Sequence, residues 1–532
     1  MTFQTTQQVT GRGRRRARIA GLAMGAIALV TLAGCALVPG LGGGGGSGAD
    51  AGKAPQQLPE APTGTLASFG SQEPVWQDCG VGMECADVYA PLDWEQPDGE
   101  TIALRLVKQP ARGDTKLGTL FVNPGGPGAS GAEYVLNSID YSVKPELQEA
   151  YDVVGWDPRG VGASTPVRCF DAAGMDDYLF GESDAEGLER GSDAWIDAAL
   201  ESSAKLGSAC AEASGELLAH VSTAETVQDL EMLRQIVGDP KLNYLGFSYG
   251  TYIGARYADA YPEQVGRLVL DGAMEPGATM ADVVREQTLG FEQALRAYVT
   301  DCLQRRSCPL TGDVDSAMAQ IGSLLDRIDE APLRGSDGRV LSSGVALTAI
   351  ITPLYSQEMW GYLDQLFTTL SGNDADFALV LADMYYDREE GEYLTNSTEA
   401  FSAINCLDYP AAELDRERMR ADAAELAELA PTIGRFQGYG DISCASWPVD
   451  GPAERGGVTG AGADPILVVG TTGDPATPYG WAESLAEQLE SGTLVTYVGE
   501  GHTATTSSDC VADIVNDYLL TGAVPESDPR CS

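Results

Sequence analysis

Short apolar runs punctuate the chain, and each closes at Gly, Asp, Asn or Pro. Gly118–Asn123 reads GTLFVN, Tyr151–Trp156 reads YDVVGW and Pro465–Gly470 reads PILVVG. Leu242–Leu245, Arg267–Leu270 and Leu494–Val498 are shorter runs of the same kind. Continuous rather than alternating apolar character predicts strands buried on both faces. Helical patterning lies between them. Ser222 and Glu225 have capping-box spacing, Val227, Leu230, Leu233 and Val237 recur at helical intervals, and Gly238 supplies the stop. Thr251–Tyr261 reads as a further helix. From Pro276 to Arg455 the strand pattern is interrupted, and Glu286–Cys302, Val314–Ile328 and Ala411–Leu429 read as helices. Strands alternating with helices predict an α/β fold with a mostly parallel sheet.

The loops that end these strands hold the candidate chemistry. Gly246-Phe247-Ser248-Tyr249-Gly250 sits between a strand and a helix, the setting of a nucleophile elbow. Two small glycines there let strand and helix approach around a strained Ser248. In this arrangement the acid and the base follow the serine. Asp474 lies just past the Pro465–Gly470 strand and His502 just past Leu494–Val498, at the carboxyl ends where open α/β sheets place their sites. The chain has two histidines; His220 precedes the serine beside a helix cap and reads as structural. Acidic rivals of Asp474 are many, but Glu500 is too close to His502 to orient it. Ser248 would be the nucleophile, His502 the base and Asp474 the group that fixes the imidazole. The backbone N–H groups of Tyr249 and Gly126 are the expected oxyanion donors.

Composition narrows the setting. Across 532 residues, 78 Asp+Glu face 33 Lys+Arg, a net charge of −45. That opposes nucleic-acid binding and a broad cationic surface on anionic lipid. The basic stretch Arg12–Arg18 and the apolar run Ile19–Ala33 end in Leu32-Ala33-Gly34-Cys35, which resembles a bacterial lipoprotein signal. It implies export, removal of 1–34 and lipidation at Cys35. The Gly-rich stretch that follows, 35–75, reads as a flexible tether. Setting Cys35 aside leaves an even set of ten cysteines, which in an exported chain suggests disulfides. Nearest neighbours give the working pairs Cys79–Cys85, Cys169–Cys210, Cys302–Cys308, Cys406–Cys444 and Cys510–Cys531. No metal site or cofactor is expected, since zinc spacings are missing and histidines are few.

Three segments carry a family resemblance. Asn123-Pro124-Gly125-Gly126-Pro127-Gly128 resembles the HGGPG-type oxyanion segment of prolyl aminopeptidases, with Pro124 where those enzymes usually have His. Asp157-x-Arg159-Gly160-x-Gly162-x-Ser164 matches their next loop. Gly246–Tyr252 followed by Leu270-Asp271-Gly272 resembles the actinobacterial tripeptidyl-aminopeptidase-like serine peptidases. The resemblance implies an α/β-hydrolase core at 76–275 and 456–532, interrupted by a mainly helical cap at 276–455. It also implies hydrolysis of short peptides from free N-termini through an acyl-enzyme. Carboxylates near the cap would then hold the substrate ammonium, and Glu275, Glu286 and Asp408 form the candidate set. Two rivals share these residues: an esterase or lipase on the same triad, and a non-catalytic peptide-binding lipoprotein. Peptides are the expected partners, and contact with the membrane is expected through the lipid alone.

Overall fold

The computed structural model describes residues 60–532, apart from 186, 410–413 and 452–454. The signal, Cys35 and most of the tether therefore lie outside the described residues. Ten strands form one sheet: β1 (Gln77–Gly80), β2 (Met83–Pro91), β3 (Thr101–Gln109), β4 (Gly118–Asn123), β5 (Tyr151–Trp156), β6 (Leu242–Phe247), β7 (Val265–Asp271), β8 (Ile466–Gly473), β9 (Gly492–Glu500) and β10 (Arg530–Cys531). Their order is β1-β2-β3-β5-β4-β6-β7-β8-β9-β10. Pairing is antiparallel from β1 through β3 to β5 and parallel from β5 onward.

The helices used below are α1 (Gly131–Ser142), α2 (Ala172–Phe180), α3 (Asp193–Ser214), α4 (Thr223–Val237), α5 (Tyr249–Ala260), α6 (Met280–Cys302), α7 (Val314–Glu330), α8 (Ser343–Leu354), α9 (Trp360–Ser371), α10 (Asp376–Tyr386), α11 (Ser397–Asp408), α12 (Arg416–Leu429), α13 (Tyr479–Gln488) and α14 (Asp509–Thr521). The unbroken apolar strands are explained by layers on both faces. Phe121, Tyr244, Leu268 and Val468 pack with Leu230, Ile253 and Leu485 of α4, α5 and α13. Their chain neighbours Val122, Leu245, Val269 and Leu467 point the other way, onto Val135 of α1 and Val511 and Val515 of α14. Successive strand residues face opposite sides, so a parallel strand covered twice has no polar position to spare. The chain therefore has an α/β-hydrolase core.

The cap has a hydrophobic core of its own, built from Leu295, Tyr298, Ile321, Leu325, Ile350, Leu363 and Phe367 of α6 to α9. Phe180, from α2, belongs to that same core. Ile196 of α3 packs with Met419 and Ile442 beyond α11. Arg190 pairs with Asp329, and Arg388 with Asp176. Phe180 of α2 and Ile196 of α3 thus pack on the cap, although they lie in the stretch that sequence reading gave to the core, while Val161, Val167, Leu206 and Cys210 of the same segment stay in the main core. Its helices carry many Ala, Ser and Asp positions, so their apolar stripe is thin and comes into view only against a partner.

The folded body also begins earlier than expected. Leu66–Phe69 forms a helical turn capped by Thr65, and Phe69 is fully buried against Trp94. One docked aromatic has no periodicity to announce it. All five expected cysteine pairs are disulfide-bonded. No helix among the described residues is long and apolar enough to cross a membrane.

Candidate active site

Ser248 stands at the end of β6 as the residue before α5, with φ 54° and ψ −125°. This left-handed conformation is costly for a residue with a Cβ, on the order of 1–3 kcal/mol. Neighbouring bonds impose it. Ser248 N donates to Asp271 O at 2.9 Å, and Thr251 Oγ1 donates to Ser248 O at 2.6 Å. The flanking glycines permit the approach: a Cβ on Gly246 would lie 2.6 Å from Gly250 O, and one on Gly250 would lie 2.8 Å from Asn123 O.

Asp474 and His502 follow β8 and β9, whose parallel pairing brings their carboxyl ends side by side. His502 Nδ1 lies 2.9 Å from both Asp474 carboxylate oxygens. Asp474 also accepts from the backbone N–H of Ala476 and Thr477, from Thr477 Oγ1 and from Thr503 N. A carboxylate so surrounded by donors is an acceptor toward the imidazole, which places the ring proton on Nδ1. His502 Nε2 is then the basic nitrogen; it is buried and has no hydrogen-bond partner. From the cap, Tyr355 O accepts from His502 N at 2.8 Å, and the Tyr355 ring meets the imidazole edge-on at 5.5 Å.

The acidic rivals are accounted for. Asp271 is fully buried, and its carboxylate accepts from Ala504 N and Thr505 N, which steadies the loop after His502. Burial pushes the Asp271 carboxyl above its ordinary range, against those hydrogen bonds. Glu500 lies against Gly473 rather than on the imidazole. His220 bonds Glu225 at 2.9 Å beside the buried Arg159. Arg159 holds Asp229 and the carbonyls of Pro91, Leu92 and His220, so the Asp157–Ser164 loop is a structural clasp.

The turn after β4 carries positive φ at Gly125, Gly126 and Gly128, and its Gly126–Pro127 bond is cis. A Cβ on Gly125 would lie 3.0 Å from both Tyr249 N and Ser248 Cβ, so this turn presses directly on the elbow. As the first N–H of α5, Tyr249 N has no acceptor within the helix. Ser248, Gly126, Tyr355 and Thr477 line one cleft of about 700 Å³ between core and cap.

The expected ammonium-binding carboxylates are elsewhere. Glu275 accepts from Gln488 Nε2 at 2.7 Å, and Glu286 pairs with its neighbour Arg285. Asp408 is buried on Thr223 behind the elbow. None of the three is among the residues that line the cleft. Among the described wall residues the carboxylate is Asp329, paired to Arg190 at 2.7 Å and bonded by Ser343 Oγ. Sequence reading missed Asp329, Tyr355 and Thr477. Of these, only Thr477 had a local signal, since it follows Asp474 at the spacing of an Asx-type turn.

A family model described as TAP-like protein matches residues 430–531. The chain is 37 % identical over 463 residues to serine protease Hip1 of Mycobacterium tuberculosis, covering 85 % of this chain and 87 % of that protein. It is 34 % identical over 455 residues to carboxylesterase B of the same organism, covering 84 % and 86 %. Tripeptidyl aminopeptidase of Streptomyces lividans is 29 % identical over 474 residues, covering 86 % of each chain.

Proposed function

This chain belongs to the α/β-hydrolase family of the Hip1 serine proteases, and we propose that it is an exported serine peptidase releasing short peptides from free N-termini. One observation carries the reading: Asp474 holds Nδ1 of His502 while the opposite ring nitrogen stays buried without a hydrogen-bond partner, and Ser248 stands in a strained elbow at the end of β6. His502 Nε2 takes the Ser248 hydroxyl proton as Oγ attacks the scissile carbonyl. Negative charge passes to the carbonyl oxygen, and Tyr249 N and Gly126 N donate to it. The imidazolium, stabilised by Asp474, returns its proton to the leaving amine. An acyl-enzyme remains, and water activated by the same nitrogen hydrolyses it.

Asp329 is the carboxylate in the cleft wall, and it would receive a substrate ammonium alongside its partner Arg190. Five disulfides support export, since such bonds persist in oxidising compartments. The lipobox-like segment adds the anchor: lipidation at Cys35 on the outer face of the membrane, lost in Cys35→Ser, which is then recovered in the medium.

The test of the reaction is a peptide-library digest by the soluble form lacking residues 1–35, read by mass spectrometry. Short fragments released from free but not N-acetylated peptides are expected. Equal cleavage of acetylated peptides overturns the N-terminal reading. The similarity to a carboxylesterase B favours a second reading, an esterase on the same serine. Hydrolysis of short acyl esters without cleavage of any peptide amide would decide for it.

A further inference from the structure

Asp408 lies at the last position of α11, a cap helix, yet its carboxylate faces the core rather than the cleft. Oδ1 accepts from Thr223 N at 2.9 Å and Oδ2 accepts from Thr223 Oγ1 at 2.5 Å. Thr223 Oγ1 is also bonded to the Tyr249 hydroxyl, which lies 3.4 Å from Asp408 Oδ2. A threonine hydroxyl has one proton, and here it goes to the carboxylate. Tyr249 must then be the donor to Thr223, so the chain runs Tyr249 to Thr223 to Asp408. All three residues are buried.

Tyr249 is the residue whose backbone N–H is offered to the oxyanion. The start of α5 has no side-chain cap, because the preceding residue is the strained nucleophile itself. The Tyr249 hydroxyl is therefore a distal anchor for this first turn. The opposite end of α11 reaches the other wall of the oxyanion site. A Cβ on Gly128 would lie 2.7 Å from Ser397 O and 3.0 Å from Phe401 N, so the turn that carries Gly126 is backed by the helix backbone. One cap helix thus braces both donor segments.

We propose that Asp408 is a positioning residue for the oxyanion hole, acting from the cap through Thr223 and the Tyr249 hydroxyl. The inference rests on the serine-hydrolase reading above. It gives Asp408 a task other than receiving the substrate: loss of the chain lets Tyr249 N drift from the developing oxyanion while the ground-state pocket is kept. A hydrogen bond to a charged group is worth enough to make such a loss about tenfold in rate.

The experiment compares wild type, Asp408→Asn, Tyr249→Phe and the double variant. Steady-state kinetics use a p-nitrophenyl ester, and the rate of inactivation uses a fluorophosphonate probe. The expected result is a kcat about tenfold lower in each single variant, KM within about twofold, and no further loss in the double variant. The inactivation rate should fall in parallel, since the phosphonyl oxygen uses the same donors. Wild-type kcat in either single variant, or losses that multiply in the double, overturns the proposal. A general structural weakening would instead lower the amount of labelled enzyme with unchanged kcat per labelled site, and that also overturns it. Should Asp408→Asn fail to fold, Tyr249→Phe removes one hydroxyl and decides alone. A folded wild type that does not label defeats the serine-hydrolase reading and this proposal together, whereas a labelled wild type with indifferent variants defeats this proposal alone.

Discussion

Both carboxylate oxygens of Asp474 lie 2.9 Å from Nδ1 of His502. The pair fixes one tautomer and leaves Nε2 as the acceptor. Asp474→Asn keeps the shape but offers an amide N–H, which favours the opposite tautomer. Its kcat should fall by about 10⁴-fold with a native circular dichroism spectrum. Ser248→Ala and His502→Ala should each remove most turnover, whereas His220→Gln, which changes a residue paired to Glu225, should leave it intact. Progress curves under saturating substrate measure all four, and substantial turnover in His502→Ala would falsify the assignment of the base.

The glycine turn makes a sharper demand. At Gly125, φ is 99° and an added Cβ would lie 2.5 Å from Phe247 O. Gly125→Ala must push this turn away from the elbow, and losing one oxyanion donor costs about 10²-fold or more in kcat. KM should change little. A Gly125→Ala enzyme with unaltered kcat would show that the turn is not part of the reacting geometry.

Asp387 gives a pH dependence with a definite sign. It is buried, Oδ1 has no partner, and burial pushes its carboxyl from 3.8 up to about 7 against bonds from Thr395 and Ser397. Between these values the unfolded chain has lost the proton and the folded one has kept it. Stability contributed by this group is therefore present below about pH 4 and lost as pH rises toward 7. The shift corresponds to as much as about 4 kcal/mol. Urea midpoints at pH 5 and pH 8 should fall further in wild type than in Asp387→Asn. Parallel falls would mean that this carboxyl does not titrate across the range.

The Cys406–Cys444 bond closes a separation of 38 residues, and both cysteines line the cleft. Replacing both with Ser should cost about 4 kcal/mol of unfolding free energy by loop-closure entropy. It should also raise KM, since the cleft wall loosens. Urea unfolding without reductant measures the first effect and substrate titration the second.

Much of the core could be read directly from the chain. Buried parallel strands need continuous apolar runs, so β4 and β5 match their predicted bounds to the residue. The elbow glycines, the order serine, aspartate, histidine and the neighbour-paired cysteines are local or ordinal features. They need no knowledge of what packs on what. The scarcity of histidine then singled out His502.

Other features required the tertiary structure. Sequence could not say that Phe180 of α2 and Ile196 of α3 pack on the cap, because their partners there come from segments more than a hundred residues away. Nor could it sort the acidic residues. In a chain with 78 of them, composition offers no contrast. Only packing reveals that Asp329, itself paired with Arg190, stands in the cleft wall while Glu275, Glu286 and Asp408 do not. A carboxylate's role depends on which groups desolvate and hydrogen-bond it, and those groups come from distant segments brought together by the fold.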